Sequence, residues 1–338
     1  MSIQALANSL GLSISTVSRA LNGYTDVSAA TRERVKTAAL AMNYQPHPVA
    51  RRLATGKTGA VALLYPQQQT KYQEASFAAL VSGIEEELQG HKLFVLSVGI
   101  PLGAQEMPEL ERFVSARIVD GLILVRTQVN DLRIAWLQAR SMPFVTLGRT
   151  VQNAPHAWVD TDNEGAFEQA TRALIAQGHR RIALINGNPI MTFAALREQG
   201  FNKALRDGKL NAADCPIAHT DLMATSGESV AAQLLALPNR PSAILCVTDA
   251  MALGTMRAIK AAGLRVGHDV AVVGYGNTEA GRYSDPPLAT IDHNIVANGR
   301  DLARLLLRAI AGEAPDELHA IEAAHLIVRD SFGPPQIA

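Results

Sequence analysis

The sequence predicts an α/β protein: a small helical head followed by a larger body of two doubly wound, parallel-sheet lobes. Residues 1–45 contain three short helical patterns separated by glycine and capping residues. From Ala60 onward, near-continuous apolar strands alternate with helical stretches, which is typical of parallel sheets covered on both faces. The body holds too many strand–helix units for one open sheet of ordinary size, and this favours two lobes.

Composition indicates a folded globular chain of 338 residues, with 48% hydrophobic residues and a mean hydropathy of +0.06. No run approaches the roughly 18 apolar residues of a membrane span, and the N-terminal segment lacks the features of a signal peptide. Cys215 and Cys246 lack metal-ligand spacing and are expected to fill cores in a reducing cytoplasm. We therefore expect a cytoplasmic protein, associated with the nucleoid, that uses no metal or other cofactor and contacts no membrane.

The net charge is zero, but the charges are unevenly distributed. Residues 1–60 contain seven lysines and arginines against two acidic residues, so the rest of the chain carries the matching negative excess. A basic head on an acidic body indicates a polyanionic partner for the head.

The head has the plan of a helix-turn-helix. Each helical pattern follows a serine that can cap it, and the first two patterns are joined by only three residues, Gly11 to Ser13. The expected caps and helices are Ser2 before a helix that ends at Gly11, Ser13 before Ile14 to Leu21, and Ser28 before Ala29 to Met42. In the second helix Val17, Ala20 and Leu21 fill the buried stripe, so Ile14 is expected on the exposed face.

Residues 46–58 are a basic linker in which two prolines precede a short run of good helix formers, Val49 to Ala54. A helix of this length is not stable alone in water, so it would need a surface to fold against.

The sequence of the body predicts eight strands, with helices between them. The strands are expected at Ala60–Tyr65, Leu93–Val98, Gly121–Val125, Phe144–Leu147, Arg181–Ile185, Ser242–Val247, Val270–Val273 and Ala289–Ile291. The helices are expected at Phe77–Gln89, Glu164–Gln177, Phe193–Arg206, Ser229–Leu237, Met251–Ala262 and Ile295–Ala311.

Motifs occur along the whole chain in one order. In the head they are LSISTVSRALN (12–22), TRERV (31–35), NYQP (43–46) and PVARRL (48–53). In the body they are 159–166, GHRRIA (178–183), LREQGF (196–201), TDAMALG (248–254), VVGY (272–275) and PPLAT (286–290). Together they resemble the lactose-repressor (LacI/GalR) family of transcriptional regulators. This resemblance implies a periplasmic-binding-protein-like body and three parts: a DNA-binding head at 1–45, a hinge helix and linker at 46–58, and an effector-binding, dimerising body at 59–338. Lobe 1 is expected at about 59–158 and 293–318, and lobe 2 at about 159–290 and 319–333.

The resemblance places the second helix in the major groove of double-stranded DNA. Arg19 can present a bidentate fork to a guanine, Ile14 and Ser15 occupy positions that vary base choice, and the nearby hydroxyls suit phosphate contacts. Leu53 matches a leucine that inserts into the minor groove when two hinge helices pair across a dimer on a near-palindromic operator. The expected DNA-binding residues are Ser13, Ile14, Ser15, Thr16, Ser18, Arg19, Asn22, Ala50, Arg51, Leu53 and Lys57.

The resemblance also implies a small-molecule effector held between the lobes at the carboxyl ends of the strands. Its expected contacts are Phe77, Gly148, Arg149, Phe193, Arg197, Leu222, Thr248, Asp249, Asn277 and His293. An arginine, amides and aromatic faces suit a sugar.

Many sugar-binding relatives have aspartates where this chain has Gly148 and Gly276, so two hydroxyl acceptors are lost and volume is expected to open. RRLATGK (51–57) and the Leu147-Gly148-Arg149 turn resemble regulators of α-glucoside-type sugar uptake, which suggests an α-glucoside or another disaccharide.

The expected function is repression of a carbohydrate uptake or catabolism operon, with release by the sugar. The same parts can serve a corepressor or a non-sugar effector, and these alternatives stay open. No leucine-heptad helix follows the body, which favours a dimer over a tetramer.

Two other classes of protein fit less well. An enzyme is disfavoured because Gly274-Tyr275-Gly276 is not a dinucleotide fingerprint and no Walker loop or nucleophile elbow occurs. Residues 160–164 (DTDNE) lack the glycine of a calcium loop and instead predict a helix cap at Asn163, and His179 lacks a catalytic partner. A sugar-binding transport protein would share the lobes but would need a signal peptide and no basic head.

Overall fold

A computed structural model describes residues 2–44, 56–67, 74–101, 103–150 and 155–336. The chain divides into two compact units, Met1–Gly59 with Ala116–Asp120, and Ala60–Ser115 with Gly121–Ala338. Within the described ranges no helix has the length and apolar character needed to cross a membrane.

The first unit contains the three helices that the sequence predicts: α1 (Ile3–Leu10), α2 (Ile14–Leu21) and α3 (Ala29–Ala41). All three predicted caps are confirmed, because the side chains of Ser2, Ser13 and Ser28 accept hydrogen bonds from backbone N–H groups in the first turn. Gly11 ends α1 in the left-handed region, at φ 65°. One small core joins the helices; its buried members are Leu6, Ala7, Val17, Ala20, Val27, Val35 and Ala39.

The second unit is built on two six-stranded sheets, which confirms the prediction of two parallel-sheet lobes. The lobe-1 sheet has the order β11-β5-β4-β3-β1-β2 and is parallel throughout. Its strands are β1 (Ala60–Pro66), β2 (Phe94–Ile100), β3 (Gly121–Leu124), β4 (Phe144–Leu147), β5 (Ala157–Thr161) and β11 (His319–Glu322). The lobe-2 sheet has the order β12-β10-β9-β8-β6-β7, and only the β10–β12 pair is antiparallel. Its strands are β6 (Ile182–Asn186), β7 (Ile217–His219), β8 (Ala243–Cys246), β9 (Ala271–Tyr275), β10 (Ala289–Asp292) and β12 (His325–Ile327).

Nine helices of the described residues accompany these sheets. They are α4 (Glu74–Leu88), α5 (Glu106–Ser115), α6 (Leu132–Gln138), α7 (Asn163–Ala176), α8 (Thr192–Asp207), α9 (Ala224–Leu235), α10 (Asp249–Ala261), α11 (Glu279–Arg282) and α12 (Ile295–Ile310). Helices α9 and α10 pack so closely that a Cβ added at Gly227 or Gly254 would overlap a backbone carbonyl oxygen of the other helix. Gly83 and Gly299 play the same part between α4 and α12.

The sheets correct the predicted lobe boundaries. Strand β5 extends lobe 1 to Thr161, beyond the predicted limit of 158, and β11 places 319–322 in lobe 1, although the sequence assigned these residues to lobe 2. Neither strand was predicted, because β5 ends in Asp160-Thr161 and β11 reads His-Ala-Ile-Glu, so neither is a continuous apolar run. The chain thus passes between the lobes after β5, after β10 and after β11.

The cap of α7 is also corrected. Asp162, not Asn163, is the N-cap, and its carboxylate accepts from the backbone N–H of Gly165 at 3.0 Å. Asn163 is therefore the first helical residue, and its amide is available for longer-range hydrogen bonds.

Candidate DNA interface and effector cleft

Helix α2 presents an exposed face beside its buried one. Val17 and Ala20 are fully buried, whereas Ile14 is 41% exposed and Ser15 is also exposed. The prediction that Ile14 lies outside the core is therefore confirmed. An exposed apolar side chain next to hydroxyls, on a short helix, suits contact with base edges and thymine methyl groups.

Hydroxyl groups cluster at the N-terminus of α2. Ser13 Oγ accepts from Thr16 N at 3.1 Å and lies 2.8 Å from both Ser15 Oγ and Thr16 Oγ1. Farther along, Ser18 Oγ accepts from the amide of Asn22 at 3.4 Å. A helix N-terminus that carries several hydroxyls is a ready site for a phosphate oxygen.

Arg19 extends from the exposed part of α2 and is held by two neighbours. Its Nε donates to Asp26 Oδ1 at 3.2 Å, and its Nη2 forms an ion pair with Asp26 Oδ2. Its guanidinium carbon lies 5.1 Å from the centre of the Tyr24 ring. The guanidinium therefore has one edge and one face in contact with protein.

The predicted hinge contacts Ala50, Arg51 and Leu53 lie outside the described residues. Lys57 is described and exposed. The two residues after it are fixed, because Thr58 N and Gly59 N donate to the carboxylate of Asp120 at 2.6 and 2.9 Å.

In the second unit, Arg197 of α8 is the centre of a buried network, and only 6% of its surface is exposed. Its Nε donates to Asn163 Oδ1 at 2.8 Å, and its Nη1 donates to the carbonyl oxygen of Val247 at 2.7 Å. The guanidinium lies 3.5 Å from the ring centre of Tyr275 and 4.9 Å from that of Phe193. Burial lowers the pKa of Arg197 despite its contacts with Tyr275 and the charge of Asp160.

The second member of this network is a stacked pair of rings, Tyr275 at the end of β9 and His293 in the crossing after β10, with centroids 4.6 Å apart. Burial, together with the charge of Arg197, lowers the pKa of His293 to about 4, so the imidazole is neutral at pH 7. Nδ1 of His293 is buried, and none of the described groups forms a hydrogen bond with it.

Asp160 connects this network to lobe 1. Its Oδ1 accepts from Asn163 Nδ2 at 3.0 Å, and its Oδ2 lies 3.4 Å from Nε of Arg149. Burial raises the pKa of Asp160, while the adjacent Arg149 opposes this rise. The chain Arg149–Asp160–Asn163–Arg197 thus crosses from lobe 1 to lobe 2 through the first crossing.

Both carboxylate oxygens of Asp249 accept hydrogen bonds from other residues of lobe 2. Its Oδ1 accepts from Thr290 Oγ1 at 2.6 Å, and its Oδ2 accepts from the backbone N–H and the hydroxyl of Thr278 at 2.7 and 2.9 Å. It therefore holds the loop after β9. Thr248 is the N-cap of α10, where its hydroxyl accepts from Met251 N. Asp249 and Thr248, predicted as effector contacts, are thus committed to protein hydrogen bonds.

Three other predicted contacts are placed by their packing. Phe77 packs edge-on against Tyr65, with ring centroids 4.9 Å apart, and Leu222 belongs to the lobe-2 core. At Gly148, where φ is 108°, a Cβ would lie 3.2 Å from Thr127 Oγ1, so Thr127 packs closely beside this glycine.

A cavity of about 640 Å³ lies between the lobes, next to the crossings. Asp292 and Asn294 line it, and His293 between them stacks on Tyr275 of the Arg197 network, so this crossing borders both the cavity and the network. Asn277, whose amide donates to Asp292 Oδ2 at 3.0 Å, also lines the cavity. Its other described lining residues are Ser76, Ala79, Gly276, Thr278, Glu279, Ile295, Val296, Glu322, Ala323 and His325. Its volume is in the range that holds a small ligand.

The lobes also meet at a second place, away from the crossings. Thr192 N donates to Thr127 O at 3.0 Å, and Val129 N donates to Ile190 O at 2.9 Å, so two loops pair as in an antiparallel sheet. Beside them Arg126 of lobe 1 lies over the ring of Phe193, 5.3 Å from its centre. Burial and the nearby charge of Arg197 lower the pKa of Arg126 to about 10.

The Arg126 loop is held in shape by a buried ion pair. Arg133 Nη2 donates to Asp131 Oδ2 at 2.6 Å and to the carbonyl oxygen of Arg126 at 3.2 Å. Asp131 also accepts from Gln128 N at 3.1 Å. This arrangement keeps Arg126 in the left-handed region, at φ 59°.

The sequence did not identify Asn163, Tyr275, Arg126 or Asp26 as site residues. For Tyr275 a signal existed, because it lies at the carboxyl end of the apolar strand β9, where ligands bind in such sheets. For Arg126 the same position after β3 was the only signal. Asn163 had no such signal, because strand β5 before it was not predicted. Asp26 had none, because its contact with Arg19 depends on the fold of the turn between α2 and α3.

Comparison with known proteins agrees with a helix-turn-helix head followed by a two-lobed body. Residues 2–47 match the family described as "Bacterial regulatory proteins, lacI family", and residues 171–332 match the "Periplasmic binding protein-like domain". The chain is 36% identical over 340 residues to the HTH-type transcriptional regulator AglR of Rhizobium meliloti (strain 1021), covering 99% of this chain and 95% of that protein.

Two solved structures are similar over nearly the whole chain. One is a complex of the transcriptional regulator CelR with cellobiose, at 30% identity and a TM-score of 0.75, covering 98% of this chain and 99% of that one. The other is the lac repressor dimer bound to operator and the anti-inducer ONPF, at 28% identity and a TM-score of 0.82, with the same coverage.

Proposed function

The chain belongs to the LacI family of bacterial regulatory proteins, and we propose that it represses a carbohydrate uptake or catabolism operon until a sugar binds between its lobes. It is a DNA-binding transcriptional regulator and not an enzyme. The observation that carries the sugar-sensing part is the buried Arg197 network, because it combines donors, ring faces and an unpaired acceptor across the crossings between the lobes.

In the head, α2 enters the major groove with Ile14, Ser15 and Arg19 toward the bases. A bidentate arginine–guanine contact discriminates against other bases by about 1–3 kcal/mol. Ser13, Thr16, Ser18 and Asn22 are close to the phosphates, where hydroxyls and amides fix the register of the head on the duplex.

The linker completes the interface. Arg51 and Lys57 neutralise phosphates, while Ala50 and Leu53 enter the minor groove once the hinge helices of two protomers pair on the DNA. Each neutralised phosphate releases counterions, so we expect operator affinity to fall steeply with salt concentration.

The sugar binds beside Arg197. N–H groups of Arg197 that bond to neither Asn163 nor Val247 donate to its hydroxyls, His293 Nδ1 accepts from one hydroxyl, and the ring of Phe193 packs against an apolar sugar face. A relative at 30% identity was solved with the disaccharide cellobiose, which supports a disaccharide here, and the sequence favours an α-glucoside.

Binding at Arg197 can change the angle between the lobes. Its hydrogen-bond chain runs through the first crossing to Asp160, and Tyr275, whose ring it covers, stacks on His293 in the second crossing. Asn277 and Asp249 hold the loop beside that second crossing. A coupling of roughly 1–3 kcal/mol between ligand and operator suffices for regulation. We propose that closure separates the paired hinge helices and releases the DNA.

The working unit is a homodimer. Strand β2 is at the edge of the lobe-1 sheet, and its Phe94 is 76% exposed, which is an aggregation hazard unless a partner covers it. A dimer of the similar lac repressor is known on its operator. Two heads on a two-fold axis imply a near-palindromic operator. Because its operator is chromosomal DNA, we place the protein in the cytoplasm, on the nucleoid.

A gel-shift assay with the promoter next to the protein's own gene tests this function. We expect a salt-sensitive shift that a subset of α- and β-glucosides abolishes. Arg197→Ala should keep the shift and lose the sugar response, whereas Arg257→Ala, which removes an exposed lobe-2 ion pair with Glu228, should respond like the wild type. If no sequence-selective shift occurs, the protein does not regulate this promoter. If a shift occurs but no sugar alters it, the proposal of a sugar effector is wrong.

A further inference from the structure

We propose that Asp26 is a specificity-determining residue, whose carboxylate holds the guanidinium of Arg19 in the orientation that reads a guanine. This inference rests on the proposed role of Arg19 in the major groove. It assigns a function to an acidic residue in the turn between α2 and α3, in a basic head whose one other acidic residue is Glu33.

The geometry of the ion pair is the first argument. Asp26 bonds to Arg19 through Nε, at 3.2 Å, and through Nη2, so the carboxylate occupies the Nε–Nη2 edge of the guanidinium. A guanidinium carries five N–H donors in a fixed plane. The opposite edge, formed by Nη1 and the second N–H of Nη2, is the pair that can donate together to O6 and N7 of a guanine.

Tyr24 is a second neighbour of the Arg19 guanidinium. The guanidinium carbon lies over the Tyr24 ring, 5.1 Å from its centre. Asp26 therefore fixes one edge of the group and Tyr24 packs beside it, and both come from the same turn. An arginine held on two sides loses less freedom when it binds a base than a side chain that is free in water.

The third argument is electrostatic. A carboxylate near the DNA-facing side of a head repels phosphates and weakens binding to every sequence alike. At Asp26 this cost is offset by selectivity, because the oriented arginine rejects a base that lacks the two acceptors. The two effects have opposite signs on substitution, so they can be separated by experiment.

The alternative is that Asp26 merely neutralises Arg19 in the free protein and competes with DNA for it. Both residues are about half exposed, at 50% and 51% of their side chains, and exposed ion pairs contribute little to stability. Removal of a competitor would strengthen binding to the preferred site without changing base preference. Removal of an orienting group lowers base preference.

The test uses the full-length protein and a pool of duplexes with a randomised centre, from which the wild type selects its preferred site. Affinities are then measured for that site, for single-base variants of it and for a random duplex. Arg19→Ala identifies the base pair that Arg19 reads, as the position at which discrimination disappears. Asp26→Asn is compared with the wild type at that base pair.

We expect Asp26→Asn to lower the guanine preference at that base pair by roughly 3- to 10-fold, the ratio that corresponds to the ordering of one long side chain. Affinity for the random duplex should stay equal or rise. Asp26→Glu, which keeps the charge, should recover part of the preference. Thermal unfolding by circular dichroism verifies that the head of each variant is folded.

Glu33→Gln is the matched control, since it removes one carboxylate from an ion pair with Lys36 of the same head, at 3.0 Å, on α3. It changes the charge by the same amount and should leave the preference at the Arg19 base pair unchanged. An unchanged preference in Asp26→Asn, or the same loss in Glu33→Gln, overturns the role of Asp26 alone. If Arg19→Ala alters no base preference, the proposed role of Arg19 fails and that of Asp26 fails with it.

Discussion

Nε of Arg197 donates a 2.8 Å hydrogen bond to Oδ1 of Asn163, and this bond joins the lobe-2 network to the first crossing between the lobes. Asn163 completes the connection by donating to Asp160 Oδ1 at 3.0 Å and to the carbonyl oxygen of Thr161 at 3.0 Å. One amide therefore satisfies a buried cation on one side and a buried carboxylate on the other.

We expect Asn163→Ala to weaken effector binding at least tenfold while operator binding without effector changes little. The substitution leaves Arg197 Nε buried without its partner, at a cost of about 1–3 kcal/mol, and removes one of the two hydrogen bonds that Asp160 Oδ1 accepts from Asn163 and Thr161. Isothermal titration with the sugar and gel shifts without it measure the two effects. Asn239→Ala, at an exposed position of lobe 2, is the control. Wild-type sugar affinity in Asn163→Ala would show that the connection is not used.

His293 should make the stability of the sensor unit depend on pH. Its pKa of about 4 in the folded protein lies below the ordinary value of 6.5 for histidine, so the unfolded chain binds the proton first as pH falls. The stabilisation is complete above pH 6.5 and is lost as pH falls from 6.5 toward 4. Between pH 7 and pH 5 the loss is of order 2 kcal/mol.

Urea unfolding at pH 7 and pH 5 measures this loss against His293→Phe, which retains a ring to stack on Tyr275. The variant should lose less stability than the wild type between the two pH values, by the amount above. An equal loss in both proteins would show that His293 is not the titrating group. His179, whose pKa burial also lowers, is unchanged in both proteins and cancels in the difference.

The head could be predicted almost entirely from the sequence, because its signals are local. Ser2, Ser13 and Ser28 cap helices that begin at the next residue, and Gly11 adopts the left-handed conformation that the end of α1 requires. Ile14 was placed outside the core because other side chains already fill the buried stripe of α2.

The cleft could be predicted only in part, because its contacts join residues far apart in sequence. Arg197, Phe193 and His293 were identified, but the partners that orient Arg197, Asn163 and Tyr275, come from two other elements. Asp249 was expected to face ligand, and its commitment to Thr278 and Thr290 depends on loops that pack only in the folded lobe. The strand β11 was missed because its residues alternate in exposure along a sheet edge.

Close helix packing in lobe 2 makes Gly254 sensitive to a single methyl group. A Cβ there would overlap the carbonyl oxygen of Ala224, so α9 and α10 would have to separate. Overpacking of this kind costs about 1–3 kcal/mol and occasionally more. We expect Gly254→Ala to lower the free energy of unfolding by at least this amount. Gly90→Ala is the control, because a Cβ at Gly90 meets no atom within 4 Å. Equal stability of the two variants would contradict the packing argument.

Finally, the exposed edge of the lobe-1 sheet should be the place where the oligomeric state can be changed. Phe94 is 76% exposed on the edge strand β2, and a carboxylate at this position would have to be desolvated in any interface. We expect Phe94→Glu to shift the protein to monomers in sedimentation analysis and to abolish tight operator binding, because a single head has too small a contact surface. Leu132→Glu, at a residue of α6 that is 71% exposed, should leave the dimer intact. Dimers in Phe94→Glu would place the interface elsewhere, and monomers in both variants would indicate a general loss of association, not a β2 interface.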